Sequence, residues 1–162
     1  MIRELTSEDV IDISLFLREN SVKGNPEFLL SCFNSPNEFT LRNLRNAFFK
    51  FRVQIFGEVS ETEIKDIVVF QHSEIKHSSF MTLAICRMVG GELLSQTIPS
   101  VFRLNKEIAK IKIIVSSRQL EAGFKKTLTN LGFVEELLIR SFEMKNEKFY
   151  SYAIFRNEEV AV

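Results

Sequence analysis

The chain has 162 residues, 45% of them hydrophobic, which favours one domain with a full core and excludes a disordered chain. Lysine plus arginine equals aspartate plus glutamate at 21 each, so no global charge points to nucleic acid or an acidic surface. No apolar run approaches the roughly 18 residues of a membrane span, and the N-terminus lacks the apolar segment of a signal peptide. We therefore predict a single domain over residues 1–162, cytoplasmic, with no nucleic-acid or membrane partner.

The two cysteines, Cys32 and Cys86, are too few for a disulfide framework or a metal site. Both have apolar neighbours, which is typical of buried, reduced side chains and agrees with a cytoplasmic setting. One local group of basic residues is interpreted as a solvated face, and it comprises Arg42, Arg45, Lys50 and Arg52. We predict no metal.

The N-terminal part is predicted to hold a short strand over residues 1–5 followed by helices. Thr6-Ser7-Glu8-Asp9 supplies the hydroxyl and the later carboxylate of a capping box. The helix behind it has one apolar face, formed by Val10, Ile13, Phe16 and Leu17. Residues 27–33 and 40–48 are predicted to add two further helical segments.

Three strand-like runs follow, over residues 53–59, 64–75 and 80–86. The second is dense in β-branched residues, and Gly57 indicates a bulge in the first. Polar turns separate the runs, so we predict a three-stranded meander.

A helix of about four turns is predicted next, from apolar residues at helical spacing: Leu94, Ile98, Val101, Leu104 and Ile108. Two interpretations of Pro99 stay open. It lies inside this helix and kinks it, or it is the first residue of a helix that starts only at Ile98. The nearly continuous apolar run 111–115 then indicates a strand buried on both faces.

The last third is predicted as a helix and two closing strands, over residues 133–142 and 149–155. Ser116 and Gln119 fit a capping box, and Gly132 stands where a helix ends in a left-handed residue. A strand–helix–strand connection in one sheet is a right-handed crossover, so strands 80–86 and 111–115 should run parallel.

This element order, together with Asn130-Leu131-Gly132-Phe133, resembles the GNAT N-acetyltransferases over most of the chain. The resemblance implies an α/β (α+β) fold, in which a mixed, mostly antiparallel central sheet has a parallel pair in the middle and is flanked by helices. It also implies an acetyl-CoA-dependent N-acetyltransferase, with coenzyme A as the carrier of the acyl group.

The resemblance also implies where the cofactor lies. In this family the fourth strand is followed by Arg/Gln-x-x-Gly-x-Gly/Ala, whose backbone N–H groups and helix start bind the pyrophosphate. Arg87 and Gly90 match the first and fourth positions, whereas the sixth is Glu92. Pantetheine would lie along the strand end, with Ser116 and Ser117 across the gap. The candidate cofactor-binding residues are Leu83, Ile85, Cys86, Arg87, Met88, Val89, Gly90, Gly91 and Glu92.

No catalytic residue is assigned. The family often has a tyrosine five residues before the phenylalanine of the Gly-Phe pair, and here that position is Leu128. Tyr150 and Tyr152 are interpreted as packing residues. Candidate bases lie on or beside the central strands, namely Glu58, His72 and Glu74.

An alternative function stays open because of Glu92, Leu128 and Pro99: a catalytically degenerate protein of this fold that binds a ligand or a protein partner. For the enzyme, the acceptor is predicted to be a small-molecule or peptide amine, and the segment that selects it spans about residues 20–50. A homodimer is compatible with both hypotheses.

Overall fold

The computed structural model describes residues 1–21, 42, 45, 53–72, 79–85, 91–139 and 148–157. Within them the chain forms one seven-stranded sheet, in the order β1-β2-β3-β4-β5-β7-β6. The strands are β1 (Ile2–Leu5), β2 (Val53–Ser60), β3 (Glu63–His72), β4 (Phe80–Ile85), β5 (Lys110–Ser116), β6 (Val134–Ile139) and β7 (Phe149–Phe155). β4 and β5 are parallel, and every other neighbouring pair is antiparallel. The predicted sheet type and the parallel pair are confirmed.

Helices cover both faces of this sheet. α1 (Val10–Ser21) packs on one face, and α2 (Gly91–Leu104) packs on the other. The crossover after β5 consists of α3 (Ser117–Gln119), a π-helical segment (Leu120–Phe124) and α4 (Lys125–Leu131). No helix in the described part of the chain is long and apolar enough to cross a membrane. The predicted segments within 22–41 and 43–52 lie outside the described residues, apart from Arg42 and Arg45, which are helical and exposed.

The predicted capping box is present and caps a 3-10 helix, Ser7–Asp9, that leads directly into α1. Thr6 Oγ1 accepts from the Glu8 N–H at 3.3 Å, and Asp9 Oδ2 accepts from the Thr6 N–H at 2.8 Å. Arg3 also donates two hydrogen bonds to Asp9, from Nη1 at 3.1 Å and Nη2 at 2.9 Å. These contacts lock β1 to the helix start and favour the ionised carboxyl, so the Arg3 guanidinium and the Thr6 N–H lower the pKa of Asp9.

Acid should therefore weaken the fold through Asp9. A carboxyl with a lowered pKa in the folded state stabilises the protein above its unfolded pKa, near 3.9, and this stabilisation is lost as the pH falls through the folded value. We expect Asp9→Asn to reduce the free energy of unfolding by about 1 kcal/mol at pH 7 and to leave it nearly unchanged at pH 2. Urea unfolding at both pH values measures this difference. The exposed Asp12→Asn is the matched control, and an equal loss at both pH values would contradict the assignment.

The helix after β4 decides between the two interpretations of Pro99 and ends earlier than predicted. α2 begins at Gly91 and continues through Pro99, so the helix does not start at Ile98. It ends at Leu104, which is 59% exposed, and Ile108 is buried in the following loop. Pro99 is tolerated because it lies on the exposed side, where water can bond the carbonyl that its missing N–H leaves free.

The helix after β5 and β5 itself also depart from expectation. Gly123 has φ of 100°, which interrupts the crossover helix inside the π-helical segment. Gly132 does end α4 in the left-handed conformation, with φ of 99°. In β5 only alternate residues are fully buried, because Ile111, Ile113 and Val115 face α2 while the residues between them face the other side.

Candidate functional site

The central parallel strands separate toward their carboxyl ends. β4 and β5 pair from Phe80↔Lys110 through Leu83↔Ile113 and no further. Both strands nevertheless continue, and their outer edges stay paired, at Val68↔Ile85 and at Ser116↔Phe149. The inner edges, residues 84–85 and 114–116, therefore have no strand partner in the described part of the chain. We call this opening the β4–β5 gap. Its unpaired backbone groups can bond an extended ligand.

The start of α2 lies at the same end of the sheet as the gap. Only five residues separate β4 from Gly91, and α2 then runs back toward the beginning of β5. Leu93 and Leu94 are buried and fix the first turn against the sheet, while Glu92 is exposed. A Cβ on Gly91 would lie 3.8 Å from Thr127 Cγ2 of α4. The first turn thus presents free N–H groups and the positive end of the helix dipole beside the gap.

A row of polar residues crosses the opposite face of the sheet, the one that α1 covers in part. The register aligns Gln71 of β3, Thr82 of β4 and Lys112 of β5, so their side chains share this face. Lys112 lies one residue before the last β4–β5 pair, at the entrance to the gap. We call Gln71, Thr82 and Lys112 the polar row.

Two lysines of β5 share one carboxylate next to this row. Glu136 accepts a hydrogen bond from Lys110 Nζ at 3.1 Å, and its other oxygen lies 3.5 Å from Lys112 Nζ. Burial opposes ionisation of Glu136, but the Lys110 hydrogen bond and the two charges outweigh it and lower the pKa of this carboxyl. Glu136 belongs to β6, two strands away from β5, and reaches the lysines because a bulge lies between Glu135 and Leu137.

Solved structures with the same architecture cover almost the whole chain. The acetyltransferase of the GNAT family from Streptococcus pneumoniae is 17% identical, with a TM-score of 0.69 over 96% of this chain and 99% of that chain. The ribosomal-protein-alanine N-acetyltransferase from Brucella melitensis is 10% identical, with a TM-score of 0.72 over 96% and 99%. A spermidine N-acetyltransferase mutant from Vibrio cholerae is 17% identical, with a TM-score of 0.68 over 96% and 94%. The chain has the GNAT fold. No model of a protein family and no curated protein matches the sequence.

The GNAT fold brings the described part of the predicted cofactor site together. Leu83 forms the last β4–β5 pair, and its buried side chain points into the core, so only its backbone borders the gap. Ile85 lies on the unpaired edge, and Gly91 and Glu92 form the first turn of α2. Residues 86–90 lie outside the described residues. Cofactor binding by the nine candidates stays a prediction.

The tyrosine position of the GNAT fold is filled by a core residue. Leu128 on α4 is 0% exposed and packs against the apolar side chains beneath α2. Tyr152 is also buried in this core, and burial raises its pKa, while Tyr150 packs against the same cluster. Both tyrosines are therefore packing residues, as predicted.

His72 is held at the far end of α2, away from the gap. Its Nε2 lies 3.1 Å from Oδ1 of Asn105, the residue that follows this helix. Asn105 Nδ2 donates to the Val101 carbonyl at 2.8 Å, which fixes the amide orientation and makes His72 Nε2 the donor. His72 lies on the face that α2 covers, opposite Met81 of β4, and its ring is engaged by Asn105 rather than directed at the gap. Glu58 is exposed on β2, two strands from β4, and Glu74 lies outside the described residues.

The residues missed by the sequence prediction are Lys110, Lys112 and Glu136. A signal was available, because Lys112 interrupts the apolar run 111–115 at a position that a strand buried on both faces would fill with an apolar residue. No group of three or more potential metal ligands occurs among the residues that the structure describes.

Proposed function

We propose that this protein is an acetyl-CoA-dependent N-acetyltransferase that transfers an acetyl group to an amine. The observation that carries the proposal is the β4–β5 gap with the start of α2 beside it. The unpaired strand edges suit the amide groups of pantetheine, which can bond to them as an added strand would. The first turn of α2 suits the pyrophosphate. Spermidine and ribosomal-protein-alanine N-acetyltransferases share the fold, which supports a small-molecule or protein amine as acceptor.

The proposed reaction needs two proton transfers besides the attack. The neutral amine nitrogen attacks the thioester carbonyl carbon, the carbon–sulfur bond breaks, and the thiolate takes a proton while the new amide loses one. Leu128 supplies no acid, so we assign both transfers to water at the gap. The backbone N–H groups of its edges can stabilise the negative charge that develops on the carbonyl oxygen.

Titration calorimetry with coenzyme A and acetyl-coenzyme A tests the proposal. We expect micromolar binding, and at a hundredfold excess over Kd a stabilisation of about 2.7 kcal/mol, seen as a rise in Tm of roughly 5–11 °C. Adenosine 3′,5′-bisphosphate, titrated alone, tests binding at the start of α2. Pantetheine, titrated alone, tests binding at the gap. Absence of binding by every one of these ligands would contradict the proposal.

A second candidate function is a GNAT-fold protein that binds a ligand or a protein partner without acyl transfer. It is favoured by the buried Leu128 and by Glu92, whose carboxylate lies in the first turn where phosphates would bind. This candidate predicts acetyl-CoA binding without acetyl transfer to any amine, or no coenzyme A binding at all.

Glu92→Ala measures how strongly that carboxylate opposes the cofactor. We expect a two- to fivefold gain in coenzyme A affinity, because an exposed carboxylate near the phosphates repels them by less than about 1 kcal/mol. Calorimetry in low salt gives the ratio to wild type. Glu107→Ala, an exposed glutamate beyond the other end of α2, is the control and should leave the affinity unchanged. A loss of affinity in Glu92→Ala would show that Glu92 contributes to binding.

A further inference from the structure

One face of the sheet is divided into an apolar half and a polar half. Over β1 to β3, α1 covers an apolar cluster that includes Leu5, Ile55 and Val69, and Gln71 of β3 lies on the same face. Over β4 to β6 the same face carries the polar row, the pair Lys110 and Glu136, and Ser151 of β7. The same half also carries apolar side chains, among them Phe80 and Ala153, so its polar groups form a cluster around Lys112.

Two polar residues of this half are largely buried, yet no buried side-chain N or O atom of the described residues lacks a hydrogen-bond partner. Gln71 is 6% exposed and Ser151 is 7% exposed. Neither they nor Thr82 form a side-chain hydrogen bond to another described residue. Their polar atoms must therefore be accessible on this face, where a polar ligand can bond to them.

The charge of this half is positive. Lys110, Lys112 and Glu136 sum to +1, and their side chains are only 21–29% exposed. Lys112 Nζ lies 4.8 Å from the centre of the Phe80 ring, and Lys110 Nζ lies 5.7 Å from that of Phe155, which fixes both ammonium groups on the face. Each ammonium has three N–H groups, and Glu136 accepts from only some of them, so the remaining N–H groups can donate to a ligand.

We propose that the polar row binds the acceptor, and that Lys112, assisted by Lys110, binds an anionic group on it. The acceptor is then an amine that carries a carboxylate. This inference rests on the proposed function, because the row borders the gap where the thioester would lie. Gln71 and Thr82 orient the rest of the acceptor, with Gln71 about 10 Å from Lys112 across two strand spacings. A polyamine, which carries only positive charge, is repelled.

The test compares acceptors that differ only in the charged group. Acetyl transfer from acetyl-coenzyme A is measured with 4-aminobutyrate, with 4-aminobutanamide and with spermidine. We expect kcat/KM to be at least tenfold higher for the acid than for its amide, and lowest for spermidine. Lys112→Met should remove this preference by lowering the value for the acid about tenfold while changing that for the amide less than twofold.

Two further variants extend the test of the preference for the acid. Glu136→Gln removes the carboxylate that occupies the lysines, so it should increase the preference for the acid, opposite to Lys112→Met. Lys65→Met is the matched control, because Lys65 forms an exposed i, i+2 ion pair with Glu63 on the distant end of β3 and should leave the preference unchanged.

A binding experiment tests this inference separately from the proposed function. The products N-acetyl-4-aminobutyrate and its amide are titrated into wild type and Lys112→Met without cofactor, and amide shifts are followed by NMR. If no coenzyme A ligand binds, only the proposed function is contradicted. The anion site is still supported in that case if the acid product binds better than its amide and Lys112→Met abolishes this preference. Equal binding of acid and amide, equal kcat/KM, or a preference for spermidine overturns the inference.

Discussion

Replacing Phe70 by alanine should cost about 3–5 kcal/mol of the free energy of unfolding. Phe70 lies two residues before the end of β3, is 0% exposed, and belongs to the core beneath α2. Its ring meets Phe56 edge to face, with centroids 5.9 Å apart and an interplanar angle of 88°. The substitution removes this aromatic contact, worth about 0.5–1.5 kcal/mol, together with the burial of the ring, and leaves a cavity between the sheet and the helix.

Urea unfolding measures the loss, and the midpoint should fall by roughly 1–3 M. Because domains of this kind have a total stability of about 5–15 kcal/mol, the variant should be close to unfolding at 37 °C. Phe155→Ala is the matched control, since that ring is 53% exposed at the end of β7, and it should cost less than about 1 kcal/mol. A loss from Phe70→Ala no larger than that of the control would mean that the two aromatic rings do not form the centre of the core.

The sequence predicted the elements whose signals are local. The capping box at Thr6 and Asp9 is a four-residue motif, and the structure has both of its hydrogen bonds. Gly132 ends α4 because only glycine adopts the left-handed conformation without strain. The parallel pair followed from the handedness of crossovers rather than from any residue. These predictions needed no knowledge of which surfaces would meet.

Features that depend on distant contacts could not be predicted. Pro99 left two interpretations open, and α2 passes through it because six side chains of that helix are buried against the sheet. The π-helical segment around Gly123 has no sequence signature. Glu136 reaches Lys110 over β7 only through a bulge and across Ala153, whose small side chain leaves room for it.

The position of the candidate cofactor site rested on the resemblance and stays a prediction. The gap is formed by backbone groups at residues 84–85 and 114–116, and backbone recognition places little constraint on side chains, so only the resemblance pointed to it. Gly91 carried a local signal, and the structure places it in the first turn of α2. His72, which the sequence offered as a base, has a structural partner 33 residues along the chain in Asn105.

Asn105→Ala should cost about 2–3 kcal/mol, the larger part of it from the partners that the change leaves behind. Asn105 is 5% exposed, and its side chain exchanges hydrogen bonds with the Gln54 amide in both directions, at 3.0 and 3.3 Å. It also bonds the Val101 carbonyl and His72. Alanine satisfies none of these groups, so β2, β3 and the end of α2 lose their common polar contact.

Thermal and urea unfolding should show this loss, and Asn130→Ala, an exposed residue of α4, should change stability by less than about 0.5 kcal/mol. The double variant Asn105→Ala with Gln54→Ala should cost less than the sum of the two single changes, because the second removes a group that the first has already left unpaired. Additive costs would contradict the reciprocal amide pair. Coenzyme A affinity per folded molecule should stay unchanged in Asn105→Ala, because about 20 Å of helix separates Asn105 from the first turn of α2. A lower affinity would mean instead that the far end of α2 controls the position of its first turn.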